Sequence, residues 1–392
     1  MAFGLSHLKQ GEKVGVTESA ATQRNLSIDG LRGFLAFFVF LHHAVIWYFY
    51  LRTGTWQIPP SYLYTHFGQS SVLLFFMITA FLFSTKLLQN RQETGGKSLE
   101  SPLFWQRLCV SRIFRLTPLY FVVVGVVTYL TAVESNFQIR EPLPDLLSHL
   151  GQWASFTVLG APDLNGTAST FLKIAGVSWT LPYEWFFYLS LPTLALALRA
   201  MPPLFCLISS ALAMLAFYFW QPAMIYIVAF AIGILASLLV KLPTVPKLLN
   251  GTAGSFLAML CLTLACKKFP TADNLPALAL LGITFAVFAS GNTFFGVLKS
   301  RAAQAFGEIS YSIYLLHGLT LYIMFKFVLG FDAASKLTVL GHWTAVLACT
   351  AVLIPLCFAT FRWIEAPAIR FAPKCSRWLE TRATQLQVAG AK

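Results

Sequence analysis

The chain has 392 residues, of which 57% are hydrophobic, 15% aromatic and only 11% charged. Soluble domains carry about 25% charged residues, so this composition excludes an ordinary soluble protein and predicts an all-α, polytopic membrane protein of about ten spans at ~20 residues each. A net charge of +13 would suggest nucleic acid in a soluble protein; here it fits basic cytoplasmic loops beside anionic lipid, and no nucleic-acid partner is expected.

Residues 1–27 are polar, lack the apolar core of a signal peptide, and read as a flexible cytoplasmic tail. The first span, about 31–50, opens on IDGLRG with Asp29 and Arg32 at its edge and carries His42 and His43 at mid-depth. Ionisable side chains at that depth are expensive and mark functional sites. Eleven steps of about 100° put Arg32 and His43 on one helix face, ~16 Å apart along the axis, and turn His42 ~80° away. A boundary cation and a mid-depth imidazole on one stripe could engage the two ends of an extended ligand. The competing reading is a pair of histidines hydrogen-bonding between helices.

An external loop with Pro59-Pro60 leads to span 2 at about 69–88, and a long basic loop over 89–117 follows. Its RIFRLTP end places Arg112 and Arg115 on one face if helical, suited to clamping phosphate, although basic flanking of a span is the simpler reading. Pro118 fits the first turn of span 3, about 118–133. Residues 134–175 are the least hydrophobic internal stretch, and 145–160 within it is short for a span and reads as interfacial or re-entrant. Further spans are expected at about 177–198, 203–219, 223–240, 251–266, 275–292, 307–329 and 341–361, followed by a basic cytoplasmic tail over 372–392. With both termini cytoplasmic, 21 of 28 Lys and Arg residues fall inside and seven outside, as the positive-inside rule requires.

Three later motifs carry chemistry. SWTLPYEWFFYLSLP puts Glu184 about one turn inside a span among Trp179, Tyr183, Trp185 and Tyr188; it reads as an acid or base, or as a wetted carboxylate in an interfacial aromatic belt. FGEISYSIYLLHGL contains Glu308, Tyr311 and a buried His317 that either lines the cavity of His43 or serves as a structural hydrogen-bonder. RWIEAP spaces Arg362 and Glu365 as a local surface ion pair. The seven cysteines form no CxxC pair, so neither a zinc site nor a disulfide framework is expected. Serine-elbow, phosphate-loop, dinucleotide and HExxH signatures are absent. A buried histidine without a nucleophile elbow favours general-base activation of a substrate hydroxyl.

Taken together, IDGLRG with ten residues between Arg32 and His43, RIFRLTPLY, WTLPYEWFFYL, SYSIYLLH and IEAP resemble, in order over about 26–371, the acyltransferase-3 family of bacterial membrane acyltransferases. The chain departs from the family pattern at Thr79 and Ala80, where Ser and Gly are usual. It departs again at Thr180 in place of Ser, and at Pro182-Tyr183 before Glu184, where many members carry a second acid. The resemblance implies a ten-helix acyltransferase domain over 28–371 in the inner (plasma) membrane, taking an acyl group, usually acetyl, from cytoplasmic acetyl-CoA to a hydroxyl of a surface glycan or similar acceptor. It implies His43 and Glu184 as catalytic residues, and Arg32, Arg112 and Arg115 as donor-binding residues. Asp29, Trp179, Tyr188, Tyr311, His317 and Glu365 are implied as supporting residues, with acyl-CoA as co-substrate and no metal or bound cofactor. A transporter or flippase of lipid-linked glycans with a buried His/Glu proton relay is the alternative; a glycan polymerase is disfavoured by the lack of a large external domain.

Overall fold

The computed structural model describes residues 25–390, so the expectation of a flexible tail over the first 24 residues lies outside the described residues. Regular structure among the described residues is helical apart from one isolated bridge between Leu164 and Thr167. Among the described residues, five helical stretches are long and apolar enough to cross a membrane: Leu26–Thr53, Tyr62–Thr94, Pro102–Glu134, Ser310–Val328 and Val339–Arg382. Each of the other stretches expected as spans also falls on a helix.

Helix α1 (Leu26–Thr53) begins where the Asn25 side chain accepts from the Ile28 amide, and ends at Gly54 in the left-handed region. It is apolar all round, and so it is buried on two sides. Leu31 and Leu35 join one core with helices α2 (Tyr62–Thr94), α5 (Thr180–Ala197), α7 (Met224–Leu239) and α10 (Leu275–Ala289). Ala36, Phe40, Ala44 and Trp47 join a second core with α3 (Pro102–Glu134), α12 (Ser310–Ile323) and α14 (Val339–Thr360). Small residues permit the closest approach: a Cβ on Gly307, in α11 (Arg301–Glu308), would stand 2.2 Å from the Asp29 carbonyl oxygen. The remaining helices are α4 (Leu143–Ala154), α6 (Leu204–Phe219), α8 (Thr244–Leu249), α9 (Thr252–Lys268), α13 (Phe331–Ser335) and α15 (Ala366–Gly390).

Two expectations are corrected. The basic stretch over 89–117 is not a loop. Helix α2 runs to Thr94, a 3-10 turn covers Lys97–Glu100, and α3 starts at Pro102 under a Ser101 cap. Pro118 is therefore inside α3, not in its first turn. At ~1.5 Å per residue, the 33 residues of α3 reach about 50 Å, some 20 Å more than the hydrocarbon thickness, so hydropathy located only the apolar half of the helix. The tail from 372 is likewise helical. After a π-helical turn at Phe361–Glu365, α15 packs back on the basic half of α3. Arg107 donates to Glu380 through two nitrogens at 2.7 and 3.0 Å, and Phe114 meets Phe371 at 5.6 Å.

The segment at 145–160 forms the 12-residue α4 and then turns. Helix α4 is about 18 Å long, short of a ~30 Å hydrocarbon core. Among its residues Trp153 is buried; its indole donates to the Pro162 carbonyl while Tyr120 of α3 donates to the Trp153 carbonyl, which pins α4 to the bundle.

Candidate active site

At the basic end of the bundle a cavity of about 1410 Å³ opens between α1, α2, α3, α11 and the junction of α14 with α15. Six cations line it, namely Arg32, Lys86, Arg112, Arg115, Arg362 and Arg370, against Asp29 and Glu308. Arg112 and Arg115 stand one turn apart on α3, and the Arg112 guanidinium lies over Phe83 at 5.1 Å and Tyr188 at 5.9 Å. Aromatic contact holds a guanidinium while leaving its in-plane donors available for an anion. The six positive charges converge because helices from both ends of the sequence meet here, something no local motif displays.

The π-helical turn overturns the surface ion pair expected for Arg362 and Glu365. The extra residue in the turn sends Arg362 into the cavity and turns Glu365 to the interior, where it is 0% exposed and accepts from Ser312 of α12. Its second carboxyl oxygen has no hydrogen-bond partner among the described residues.

Arg32 also lines a second, narrower cavity of about 60 Å³ together with Phe75, Thr180, Glu184, Tyr311 and Tyr314. This neck and the basic cavity have the Arg32 guanidinium in common. Glu184 lies in electrostatic reach of Arg32, Arg112 and Arg115 and 3.5 Å from the Tyr188 hydroxyl. It therefore belongs to the interior neck and not to a surface aromatic belt. Tyr311 donates to the Leu116 carbonyl at 2.7 Å, and the Tyr314 hydroxyl pairs with Thr180 at 2.9 Å, so Thr180 supplies the hydroxyl at this position. Trp179 is not brought into the neck: it is 39% exposed and packs on Tyr183 and Tyr226.

Beyond Tyr314 lies the histidine pair. The Tyr314 and His317 rings are 6.2 Å apart, and Nε2 of His317 is 3.0 Å from Nδ1 of His43. His317 is completely buried, whereas His43 is half-buried. Among the described residues no hydrogen bond reaches Nε2 of His43, and that atom is not among the sealed, unpartnered ones. The neighbouring His42 turns the other way. Its Nδ1 meets the Tyr64 carbonyl at 2.7 Å and its ring fills the space above Gly68 of α2, where a Cβ would come within 2.4 Å. His42 thus joins α1 to α2, and His43 faces the site.

Several site residues carried no signal in the sequence. Trp56, in the connection after α1, lies nearly parallel to the His43 ring at 6.1 Å and caps the side away from the basic cavity. Lys86 and Arg370 read as flanking charges, and Arg362 as half of a surface ion pair, until the helices are assembled. Tyr314 is legible in the sequence, because it stands one turn after Tyr311 and one turn before His317.

The model of a family described as an acyltransferase domain, acyltransferase-3, matches residues 25–362, which covers every element of the site up to Arg362 and stops short of Glu365. Comparison with curated proteins and with solved structures finds no match. The family match and the apolar helices together make this a multi-pass membrane protein with acyltransferase character, and the chain belongs to the acyltransferase-3 family.

Proposed function

We propose that the protein transfers a short acyl group, acetyl in the first instance, from acyl-CoA to a hydroxyl of a cell-surface glycan or similar acceptor. The observation that carries this reading is a six-cation cavity that shares Arg32 with a narrow interior cavity, whose Tyr314 ring lies 6.2 Å from that of His317, the partner of His43. The phosphates of CoA would pair with Arg112, Arg115, Arg362 and Arg32 through charge-assisted hydrogen bonds, and the uncharged arm would enter between Phe75, Tyr311 and Tyr314. Glu184 would hold the arginines of the neck in place. The basic end would face the cytoplasm, with about ten crossings and both termini on that side of the inner membrane.

In the reaction Nε2 of His43 takes the proton of the acceptor hydroxyl as its oxygen attacks the thioester carbonyl carbon. The tetrahedral intermediate collapses with cleavage of the carbon–sulfur bond, and the CoA thiolate leaves and recovers the proton. No acyl-enzyme is required. A flippase of lipid-linked glycans would pair the same cations with a phosphate group, but it would release no CoA and transfer no acetyl group.

The test combines binding with turnover. In detergent, acetyl-CoA at 100 times its Kd stabilises the folded protein by about 2.7 kcal/mol, and Arg112→Ala shrinks that shift. His43→Ala keeps the shift but lowers transfer to the acceptor in native membranes by ~10²–10⁴-fold. Acetylation near the wild-type rate in His43→Ala, at equal protein level, would falsify the assignment of the base, and absence of any acetyl-CoA shift would remove the donor site.

A further inference from the structure

We infer that His317 is a positioning residue that sets the tautomer of His43 and receives its Nδ1–H as the ring becomes charged; this rests on the proposed role of His43 as the base. The inference follows from which atoms can only accept. A carbonyl oxygen has no proton to give, so an imidazole nitrogen within hydrogen-bond distance of one must carry the hydrogen. Nδ1 of His317 lies 3.0 Å from the Ile313 carbonyl oxygen, four residues back on α12. His317 is therefore protonated on Nδ1, and its Nε2 presents a lone pair.

That lone pair points at Nδ1 of His43, 3.0 Å away, and the same Nδ1 lies 3.0 Å from the Val39 carbonyl oxygen. Two acceptors converge on one nitrogen, so Nδ1 of His43 carries the hydrogen and shares it between them. Nε2 of His43 is left unprotonated, the form a base requires. The opposite tautomer on either ring would set lone pairs against each other. The order of the pair follows as well: both nitrogens of His317 are engaged and the ring is 0% exposed, which leaves it no atom to offer an acceptor hydroxyl.

A carboxylate usually orients a catalytic histidine, but a buried anion at membrane depth carries a desolvation cost of several kcal/mol. A neutral imidazole supplies the accepting lone pair without that cost, and its bond to His43 strengthens when His43 gains a proton, because hydrogen bonds from charged donors are about twice as strong. The proton taken at Nε2 returns to the leaving thiolate, and His317 keeps its own Nδ1 proton throughout. The packing holds this alignment: Phe40 meets the His317 ring edge-on at 6.4 Å, and the next residue, Gly318, abuts the Ile174 backbone so closely that a Cβ would stand 2.2 Å from it.

Two polar variants separate this role from simple packing. The amide of Gln reaches the position of the His Nε2 atom and can offer its oxygen to His43, whereas the amide of Asn ends near the position of Nδ1. With acetyl-CoA as donor and native membranes as the source of acceptor, CoA release is expected to show kcat lowered roughly 10- to 100-fold in His317→Asn, by analogy with loss of the partner that orients a metal-bound histidine. KM for acetyl-CoA should stay within about twofold, because the donor cavity lies on the other side of the neck, while His317→Gln should recover kcat to within about fivefold of wild type. Equal activity of Asn and wild type, or equal loss in Asn and Gln with the acetyl-CoA thermal shift retained, overturns the inference. Normal activity in His43→Ala would instead overturn the reading on which it stands.

Discussion

Removing Glu134 should destabilise the protein more than removing Glu134 and Lys173 together. Lys173, in the 3-10 segment Thr170–Ile174, is 1% exposed, and its ammonium lies 2.9 Å from the carboxylate of Glu134 at the end of α3, which also accepts from Tyr322 of α12. Glu134→Gln strands the ammonium, which has no other carboxylate within 4 Å among the described residues. Breaking a buried pair from one side costs ~3–5 kcal/mol. The ceiling has an independent basis, since an amine of ordinary basicity can shed its proton at neutral pH for ~4–5 kcal/mol. Adding Lys173→Met removes the stranded charge and supplies apolar contact to Tyr322, so the double variant should lie within about 1–2 kcal/mol of wild type. Thermal unfolding in detergent, read by intrinsic fluorescence for wild type, Glu134→Gln, Lys173→Met and the double variant, measures the coupling. If Glu134→Gln is as stable as the double variant, the pair does not act as a buried ion pair and the reasoning is wrong. Activity in the same samples reports on the site, because the 3-10 segment abuts α12 one residue from His317.

Arg362→Ala should weaken acetyl-CoA binding by about 1.5–3 kcal/mol, the worth of hydrogen bonds to charged groups, or roughly 10- to 160-fold; an unchanged KM for acetyl-CoA would place Arg362 outside the donor site. Glycine substitutions offer a packing test. Gly307→Ala drives a Cβ into the Asp29 carbonyl and should cost ~1–3 kcal/mol. In contrast, Gly125→Ala on α3 meets nothing within 4 Å and should be neutral or stabilising by up to ~1 kcal/mol; the order of the two melting temperatures decides. Raising salt should reduce acetyl-CoA affinity, because six exposed or half-exposed cations line its cavity and such attraction is screened over about 10 Å at 0.1 M; titration at two ionic strengths checks this.

Composition by itself determined that the chain is helical and built for a bilayer, because backbone groups in hydrocarbon must be satisfied within helices or closed barrels. Helical phase within α1 alone separated His43 from His42, since eleven residues nearly complete three turns, and that separation survives as two different partners, His317 and Tyr64. Hydropathy could not see that α3 continues beyond the apolar stretch, nor that the C-terminal segment folds back as a helix, because charged residues suit an amphipathic helix as well as a loop. The inward turn of Glu365 was equally hidden, since one extra residue in a π-helical turn shifts every later side chain around the axis, and the spacing from Arg362 remains three in either case. The convergence of six cations, the cap of Trp56 over His43 and the tautomer imposed through His317 exist only once α1, α2, α3, α12 and α15 are packed together. Local sequence supplied the imidazole and the guanidinium of α1, and tertiary structure decided which face of each is open to a ligand and which is held by the protein.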